Sequence, residues 1–188
     1  MSQVFFIRHA QTGMSGRFCG HSDPDLSPLG RAQLKDLTAE LASEQIEKVY
    51  SSDLKRASQT AHAIAAPRDL ELEIRPSLRE IYFGEWEGLS WAEIEQRDPE
   101  YARKWMAEFP NVTAPEGEAF AAFEERVLAE MKYLLAPGQA TAAIVTHAGV
   151  LRVLLRHFCG RSETEAWQQT QSYCCVVRYD LDLPGEQP

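Results

Sequence analysis

Short apolar runs alternate along this chain with longer stretches in which apolar residues recur every three or four positions. The runs over residues 3–7 and 142–146 are almost wholly apolar, which is typical of strands covered on both faces. The segments 46–50, 70–74 and 174–181 predict three further strands. Because helical patterns separate these strands, the sequence predicts an α/β fold built on a mostly parallel sheet.

The stretches between the predicted strands carry helix signals. Ser27 is predicted as the N-cap residue of the first helix and Pro28 as its first residue. The segment 51–53 is expected to cap the second helix, which places Arg56 in the first turn of that helix. The predicted helices cover residues 28–41, 54 up to Pro67, 91–109 with a break at Asp98-Pro99, 118–135 and 150–158.

Length and charge narrow the class of protein. With 188 residues and 44% hydrophobic content, we expect a single domain over residues 1–188, with a polar tail at 184–188. The formal net charge of -9 disfavours general binding to nucleic acid or to a membrane surface, because phosphate backbones and anionic lipids would be repelled. No apolar run approaches the ~18 residues that span a bilayer, so we expect a protein of the cytoplasm.

The cysteines are expected to be free thiols. Cys19, Cys159, Cys174 and Cys175 contain no C-x-x-C pair, and in a strand the last two would face opposite sides of the sheet. This spacing favours buried thiols over disulfides or a zinc site.

Basic side chains follow three of the predicted strands. Arg8 and His9 end the first strand, His147 follows the run 142–146, and Arg56 begins the helix after the second strand. In open α/β sheets, ligands bind at the carboxyl ends of the strands. Two arginines and two imidazoles at such an edge match a phosphate, because arginine binds phosphate oxygens in bidentate fashion. The segment 10–28 is predicted to be a long functional loop beside them.

Six segments occur in a fixed order along the chain. They are Arg8-His9-Ala10-Gln11-Thr12, then Arg17-Phe18-Cys19-Gly20 with Asp25–Gly30, then Ser51–Ala61, Leu78-Arg79-Glu80 with Phe83–Gly88, Pro115–Glu118 and Val145–Arg152. Together they resemble the histidine phosphatase (phosphoglycerate mutase-like) superfamily over nearly the whole chain. The resemblance implies a three-layer sandwich, with a mostly parallel central sheet flanked by helices.

The resemblance also implies catalytic roles. His9 is similar to the family's nucleophile, which takes the phosphoryl group and forms a phosphohistidine intermediate. Arg8, Arg56 and His147 are similar to its phosphate-pocket residues, and Glu80 occupies its general acid position. The two arginines are expected to disfavour the imidazolium form of His9 and so keep it neutral for attack. No metal and no cofactor are implied, because side chains supply the positive charge.

Substrate contacts are implied by the same resemblance. Ser15 stands near the asparagine that contacts phosphate in the mutases, and Cys19 sits where a serine or threonine often helps to bind substrate. With cysteine at that position, the backbone N–H groups of Cys19 and Gly20 are expected to make the contact. The implied substrate-binding set is Thr12, Ser15, Arg17, Cys19, Gly20 and Ala148.

The phosphatase branch of the superfamily matches this chain best. The separation between Glu80 and His147 is short, whereas the mutases carry extra residues there that cap the site. The segments 18–20 and 83–91 resemble the α-ribazole phosphatases of cobalamin biosynthesis. The implied partner is a small-molecule phosphomonoester, with α-ribazole 5'-phosphate as a candidate. A phosphoglycerate-type mutase or phosphatase and a phosphoprotein-directed module remain alternatives, and a homodimer stays open.

Overall fold

A mostly parallel five-stranded sheet forms the centre of the structure. The computed structural model describes residues 2–136 and 138–181, so the predicted polar tail at 184–188 lies outside the described residues. Parallel pairing joins β1 to β4 and joins β2 to both β3 and β4, whereas β5 lies antiparallel along β1. The strands are β1 (Gln3–Arg8), β2 (Lys48–Ser51), β3 (Leu72–Ile74), β4 (Ala142–Thr146) and β5 (Val176–Asp180), in the spatial order β3-β2-β4-β1-β5.

Helices cover both faces of this sheet. The described residues form α1 (Pro28–Glu40), α2 (Lys55–Ala65), α3 (Trp91–Arg97), α4 (Pro99–Glu108), α5 (Phe120–Leu134), α6 (Ala148–Phe158) and α7 (Glu163–Gln169). Apolar side chains of α1 and α2 pack on one face, and those of α5 and α6 pack on the other. The arrangement is the predicted three-layer α/β sandwich.

Alternate residues of the central strands contribute to two separate cores. Val4 and Phe6 pack with the α5 and α6 side chains, while Phe5 and Ile7 pack with those of α1 and α2. All four side chains are 0% exposed. Burial of side chains of this size contributes about 1.5–3 kcal/mol each, so the apolar run that predicted β1 also fixes the strand in the middle of the sandwich.

A third apolar cluster lies outside the sheet and packs α3 against α4. Its centre is Trp86, which is 5% exposed and is buried together with Ile94 and Ala102. Phe18 and Trp105 pack against this cluster, with the Phe18 and Trp86 ring centroids 5.6 Å apart. The loop that carries Phe18 is therefore held against the α3–α4 pair.

Two of the predicted helix starts are confirmed. The Ser27 hydroxyl accepts a hydrogen bond from the Gly30 N–H at 3.0 Å, and Pro28 is the first residue of α1. The break at Asp98-Pro99 separates α3 from α4, because the Asp98 side chain caps α4 and accepts the N–H of Tyr101 at 2.9 Å. The starts of α1 and α4 thus follow from the capping residue and the proline at each of these positions.

Two other expectations are corrected, and one helix was not predicted. The N-cap residue of α2 is Leu54 and makes no side-chain cap, so the segment 51–53 is not a capping cluster. Cys174 and Cys175 precede β5 instead of lying in it, and Cys174 has a φ of 57°. The helix α7 was not predicted, because its seven residues are mostly polar and show no helical spacing of apolar positions.

Candidate active site

The register of the two central strands brings both predicted histidines to one edge of the sheet. Arg8 pairs with Thr146 in the parallel β1–β4 ladder, so the next residue on each strand is His9 or His147. The His9 N–H donates to the Thr146 carbonyl at 2.9 Å, and the two imidazole centroids lie 5.1 Å apart. The strand ends therefore meet as the sequence predicted.

His9 is held as a neutral imidazole with one free nitrogen. Its side chain is buried, and Nδ1 lies 2.7 Å from the Ala10 carbonyl oxygen. Because a carbonyl only accepts, Nδ1 carries the proton and the lone pair lies on Nε2. Burial and, next, the charges of Arg56 and Arg8 hold the pKa of His9 well below its usual value, although the Ala10 hydrogen bond opposes them. Burial is thus the largest cause of this shift toward the neutral form, and the two arginines, which the sequence predicted as its cause, come after it.

Three residues that neighbour His9 carry buried nitrogen atoms without a partner. Of the five buried side-chain nitrogen and oxygen atoms that lack a hydrogen bond among the described residues, four are Nε of Arg8, Nε of Arg56 and both ring nitrogens of His147. Burial, followed by the charge of Arg56, also holds the pKa of His147 well below its usual value. Each unpaired buried polar atom costs about 1–3 kcal/mol, so a cluster of them indicates a place for an oxyanion.

Backbone carbonyls anchor both arginines. One terminal nitrogen of Arg8 donates to the carbonyls of residues 170 and 171, at 2.8 and 2.5 Å. Arg56 donates, at 2.6 to 3.1 Å, to the carbonyls of Cys19, Gly20 and Ser22. A guanidinium carries five N–H donors, so each arginine keeps N–H groups for another acceptor. Guanidinium groups fixed in this way need little reorganisation when an anion binds.

The carboxylate of Glu87 holds the loop that anchors Arg56. Six donor–acceptor contacts of 2.5 to 3.2 Å join it to the N–H groups of Gly20, His21, Ser22 and Phe83 and to the Ser22 hydroxyl. A side chain at position 20 would collide with Glu87 and with the Ile81 carbonyl, so glycine is required there. The Gly20 N–H is therefore committed to Glu87, which corrects the expectation that it contacts substrate.

Replacing Glu87 with glutamine is expected to destabilise the fold in a pH-dependent way. Burial by itself would raise the pKa of Glu87, but hydrogen bonds from Ser22, His21 and Phe83 outweigh it and hold this pKa below its usual value. With a depressed folded-state pKa, the stabilisation is fully present above the unfolded-state value of ~4.3 and is lost as the pH falls through the folded-state value. Urea unfolding at pH 7 should show a loss of about 1–3 kcal/mol in Glu87→Gln.

The matched control for this variant is Glu85→Gln, since Glu85 is half exposed and lies 3.5 Å from the exposed Arg97. Such a surface pair contributes about 0–1 kcal/mol, so the control should lose little stability. When unfolding is measured again at about pH 3, the free energies of unfolding of Glu87→Gln and the native protein should differ less than at pH 7. The reason is that protonation of Glu87 removes its contribution in the native protein. A Glu87→Gln deficit of equal size at both pH values would contradict this account.

Glu80 is positioned by the first turn of α6. Its Oε2 accepts the Gly149 N–H at 2.9 Å, and its Oε1 accepts the Ile81 N–H at 3.0 Å. A side chain at position 149 would collide with this carboxylate, which explains the glycine in the segment that follows His147. Arg126 fixes the backbone from the other side by donating to the Glu80 carbonyl at 3.0 Å. Glu80 as a whole is 8% exposed and lines the same cavity as His9.

A cavity of about 250 Å³ lies beside His9. Its walls include Arg8, His9 and Glu80, and also four of the predicted substrate-binding residues, Thr12, Arg17, Cys19 and Ala148. The guanidinium of Arg17 is paired with Glu93 at 2.8 Å, and both side chains are nearly half exposed. Ser15 and Gly20 are not lining residues; Ser15 is exposed and accepts the Tyr173 hydroxyl at 3.3 Å. The buried Arg56 and His147 are also outside the lining set.

Tyr173 also lines this cavity, and the sequence did not predict it. The Arg8 guanidinium carbon lies 4.0 Å from the centroid of the Tyr173 ring, and the His9 centroid lies 5.7 Å away from it. Tyr173 precedes β5, and an antiparallel strand begins at the edge where its parallel neighbours end. The hydrophobic pattern of the sequence predicts where β5 lies in the chain but not its direction in the sheet. It therefore gives no indication that Tyr173 lies beside His9.

The fold is α/β, and the carboxyl ends of its central strands bring together two histidines beside Arg8. The chain belongs to the histidine phosphatase superfamily (branch 1), whose family model matches residues 4–187. The family predicted from the six sequence segments is confirmed.

Several relatives of this chain are named as phosphatases. The chain is 30% identical over 182 residues to the adenosylcobalamin/alpha-ribazole phosphatase of Salmonella typhimurium, with 95% of this chain and 90% of that protein covered. Phosphoserine phosphatase 1 of Hydrogenobacter thermophilus is 32% identical over 170 residues, with 89% and 81% covered. The crystal structure of the alpha-ribazole phosphatase from Shigella flexneri matches with a TM-score of 0.85 at 28% identity, with 95% of this chain and 90% of that chain covered. These matches confirm the predicted fold class.

Two further observations concern membranes and metals. Among the described residues, no helix is both long and apolar enough to cross a membrane. Within residues 2–136 and 138–181, no three histidine, cysteine, aspartate or glutamate side chains are grouped so that they could hold a metal ion.

Proposed function

We propose that this protein is a phosphomonoester hydrolase that works through a phosphohistidine on His9 and needs no metal ion. The observation that carries the proposal is the set of four unpaired buried nitrogens on Arg8, Arg56 and His147, three residues that neighbour His9. Donors on Arg8, Arg56 and His147 bind the oxygens of the transferring phosphoryl group and stabilise the charge that they carry in the transition state. The two guanidinium groups supply the positive charge that a metal ion supplies in other phosphatases.

In the first step, the Nε2 lone pair of His9 attacks phosphorus in line with the ester oxygen. The N–P bond forms as the P–O bond to the leaving group breaks, and a protonated Glu80 gives its proton to the leaving oxygen. The hydrogen bond that Nδ1–H donates to the Ala10 carbonyl keeps the imidazole in the orientation that this attack requires.

In the second step, a water molecule attacks the phosphorus of phosphohistidine. The Glu80 carboxylate now takes a proton from that water, so the same group acts as acid and then as base. The N–P bond breaks, its electron pair returns to Nε2, and inorganic phosphate leaves. Glu80 and His9 end in the states in which they began.

Substrate contacts are assigned to the residues of the cavity wall. Cys19 contributes an uncharged thiol, because burial raises its pKa, and its Sγ lies 3.7 Å from the Ser22 carbonyl. Ser15 acts through its hydrogen bond to Tyr173. The assigned wall residues are Thr12, Arg17, Cys19 and Ala148.

The proposed substrate is a small phosphorylated metabolite, with α-ribazole 5'-phosphate as the first candidate. Support comes from the Salmonella typhimurium and Shigella flexneri proteins, both named for α-ribazole phosphate chemistry. Phosphoserine is the second candidate, because a relative of similar identity is named a phosphoserine phosphatase.

Phosphate release across a substrate panel tests this proposal. The panel contains α-ribazole 5'-phosphate, phosphoserine, glycerate phosphates, sugar phosphates and nucleotides, each measured with and without a chelator. We expect kcat/KM for α-ribazole 5'-phosphate to exceed the others by about a hundredfold, which is about 3 kcal/mol of differential transition-state binding. Chelator should leave the rates unchanged. A rate that requires added metal ion would contradict the mechanism, and a preference for phosphoserine would replace the first candidate with the second.

We also propose that residues 1–188 form one domain that works in the cytoplasm. Both main cores contain side chains of β1 and β4, which supports a single folding unit. The four cysteines are free thiols, which is the state expected in a reducing compartment. The net charge of -9 supports a small-molecule partner over nucleic acid.

A further inference from the structure

A second and larger cavity, of about 450 Å³, adjoins the cavity beside His9. Phe18, Glu80 and Phe83 line both cavities, so the Glu80 carboxylate stands at the boundary between them. The volume and the mostly apolar walls are those of small-molecule sites. Apolar walls of the second cavity include Trp105, Met106, Phe109, Val112, Phe120 and Trp167.

Aromatic rings lead from the first cavity into the second. The Phe18 centroid lies 6.1 Å from that of Trp105, which lies 5.2 Å from Phe109, which in turn lies 5.5 Å from Phe120. Met106 and Phe109 remain 65% and 42% exposed, and both line the cavity. Ring faces and exposed apolar side chains in a concave wall favour a flat apolar ligand, because such a ligand would bury them.

The charged side chains of the second cavity do not favour a charged ligand. The Arg152 guanidinium stacks on Trp167 at 3.8 Å, and its Nε donates to the Thr170 hydroxyl at 3.1 Å. Glu118 is paired with Arg126 at 2.7 Å. The two other charged lining residues, Arg156 and Glu163, are of opposite sign. Apart from Glu80 at the boundary, each charged lining side chain either contacts another side chain or is matched by a lining residue of opposite charge.

We propose that the second cavity binds the leaving group of the substrate, and that this group is uncharged and contains at least one planar apolar ring. The inference rests on the proposed function, because Glu80 must lie at the ester oxygen to protonate it. With phosphorus at His9 and the ester oxygen at Glu80, the group beyond that oxygen enters the adjoining cavity. The protein therefore prefers ring-bearing esters to small polar ones.

The experiment compares kcat/KM for ethyl phosphate and 2-phenylethyl phosphate. Both are esters of primary alcohols, so they make similar demands on Glu80 and differ in the ring. We expect 2-phenylethyl phosphate to be favoured by about tenfold or more, a size typical of apolar specificity pockets. In the double variant Met106→Gln/Phe109→Gln, this advantage should fall below about threefold, because amides replace the apolar wall. Turnover of ethyl phosphate by the double variant reports that the catalytic cavity is folded.

The matched control variant is Leu29→Gln/Tyr133→Gln, which changes one aliphatic and one aromatic residue that are 54% and 57% exposed outside both cavities. It should keep the native advantage for the ring-bearing ester. Equal native rates on the two esters, or an advantage that survives in Met106→Gln/Phe109→Gln, would overturn the leaving-group assignment while leaving the phosphatase intact. Failure of the native protein to hydrolyse either ester, or hydrolysis that survives in His9→Ala, would overturn both proposals.

Discussion

His9→Ala is expected to lose phosphate release by about 10⁴-fold or more, the scale seen when a catalytic nucleophile is removed. The loss follows because Nε2 of His9 is the atom that accepts the phosphoryl group, and without it no N–P bond forms. Binding of the phosphate ester should largely persist, since the donors of Arg8, Arg56 and His147 remain. Steady-state phosphate release and equilibrium binding of the ester measure the two effects separately.

The matched control is His62→Ala, because His62 is exposed on α2. This variant should keep its activity within about twofold of the native protein, as surface substitutions usually do. A His9→Ala protein that kept more than about a tenth of the native rate would remove His9 from the nucleophile role, given the scale of such losses.

Glu80→Gln is expected to slow the hydrolysis of alkyl phosphates by about 10²–10³-fold in kcat/KM, within the usual range for a general acid. Aryl phosphates such as 4-nitrophenyl phosphate should lose less than about tenfold, because their leaving groups need little protonation. The comparison uses kcat/KM so that it reports the step in which the P–O bond breaks. Glutamine has a similar shape and keeps an oxygen that can accept the Gly149 N–H.

The control for the acid role is Glu85→Gln, whose side chain is half exposed. Both classes of ester should be hydrolysed by this variant at close to the native rate. If Glu80→Gln lost the same factor on alkyl and aryl esters, Glu80 would have a structural role through Gly149 and no role as the acid.

The centre of the site could be predicted from the sequence because it depends on local patterns. The short apolar runs that ended in Arg8-His9 and in His147 are typical of buried strands, and neighbouring parallel strands end at the same edge. Arg56 could be placed because it lies in the first turn of the helix that follows β2. The fold class followed from the alternation of strands and helices, since only a layered α/β arrangement buries both patterns.

The parts that could not be predicted depend on contacts between distant segments. Leu54 precedes α2 without making a side-chain cap, and the first N–H of the helix, on Lys55, donates instead to the carboxylate of Asp23, 32 positions earlier in the chain. The Gly20 N–H is taken by Glu87, a residue 67 positions later. Tyr173 reaches His9 only because β5 runs antiparallel to β1. None of these features leaves a periodic or local signal in the sequence.

Trapping of the phosphorylated protein tests the central claim most directly. The native protein is mixed rapidly with a phosphomonoester radiolabelled at phosphorus, quenched in alkali within one turnover, and digested for mapping. The account predicts label on the peptide that contains His9, stable in alkali and released by acid, as expected for a phosphoramidate, and absent from His9→Ala. Turnover without labelled protein, or label that maps to another residue, would contradict the phosphohistidine mechanism.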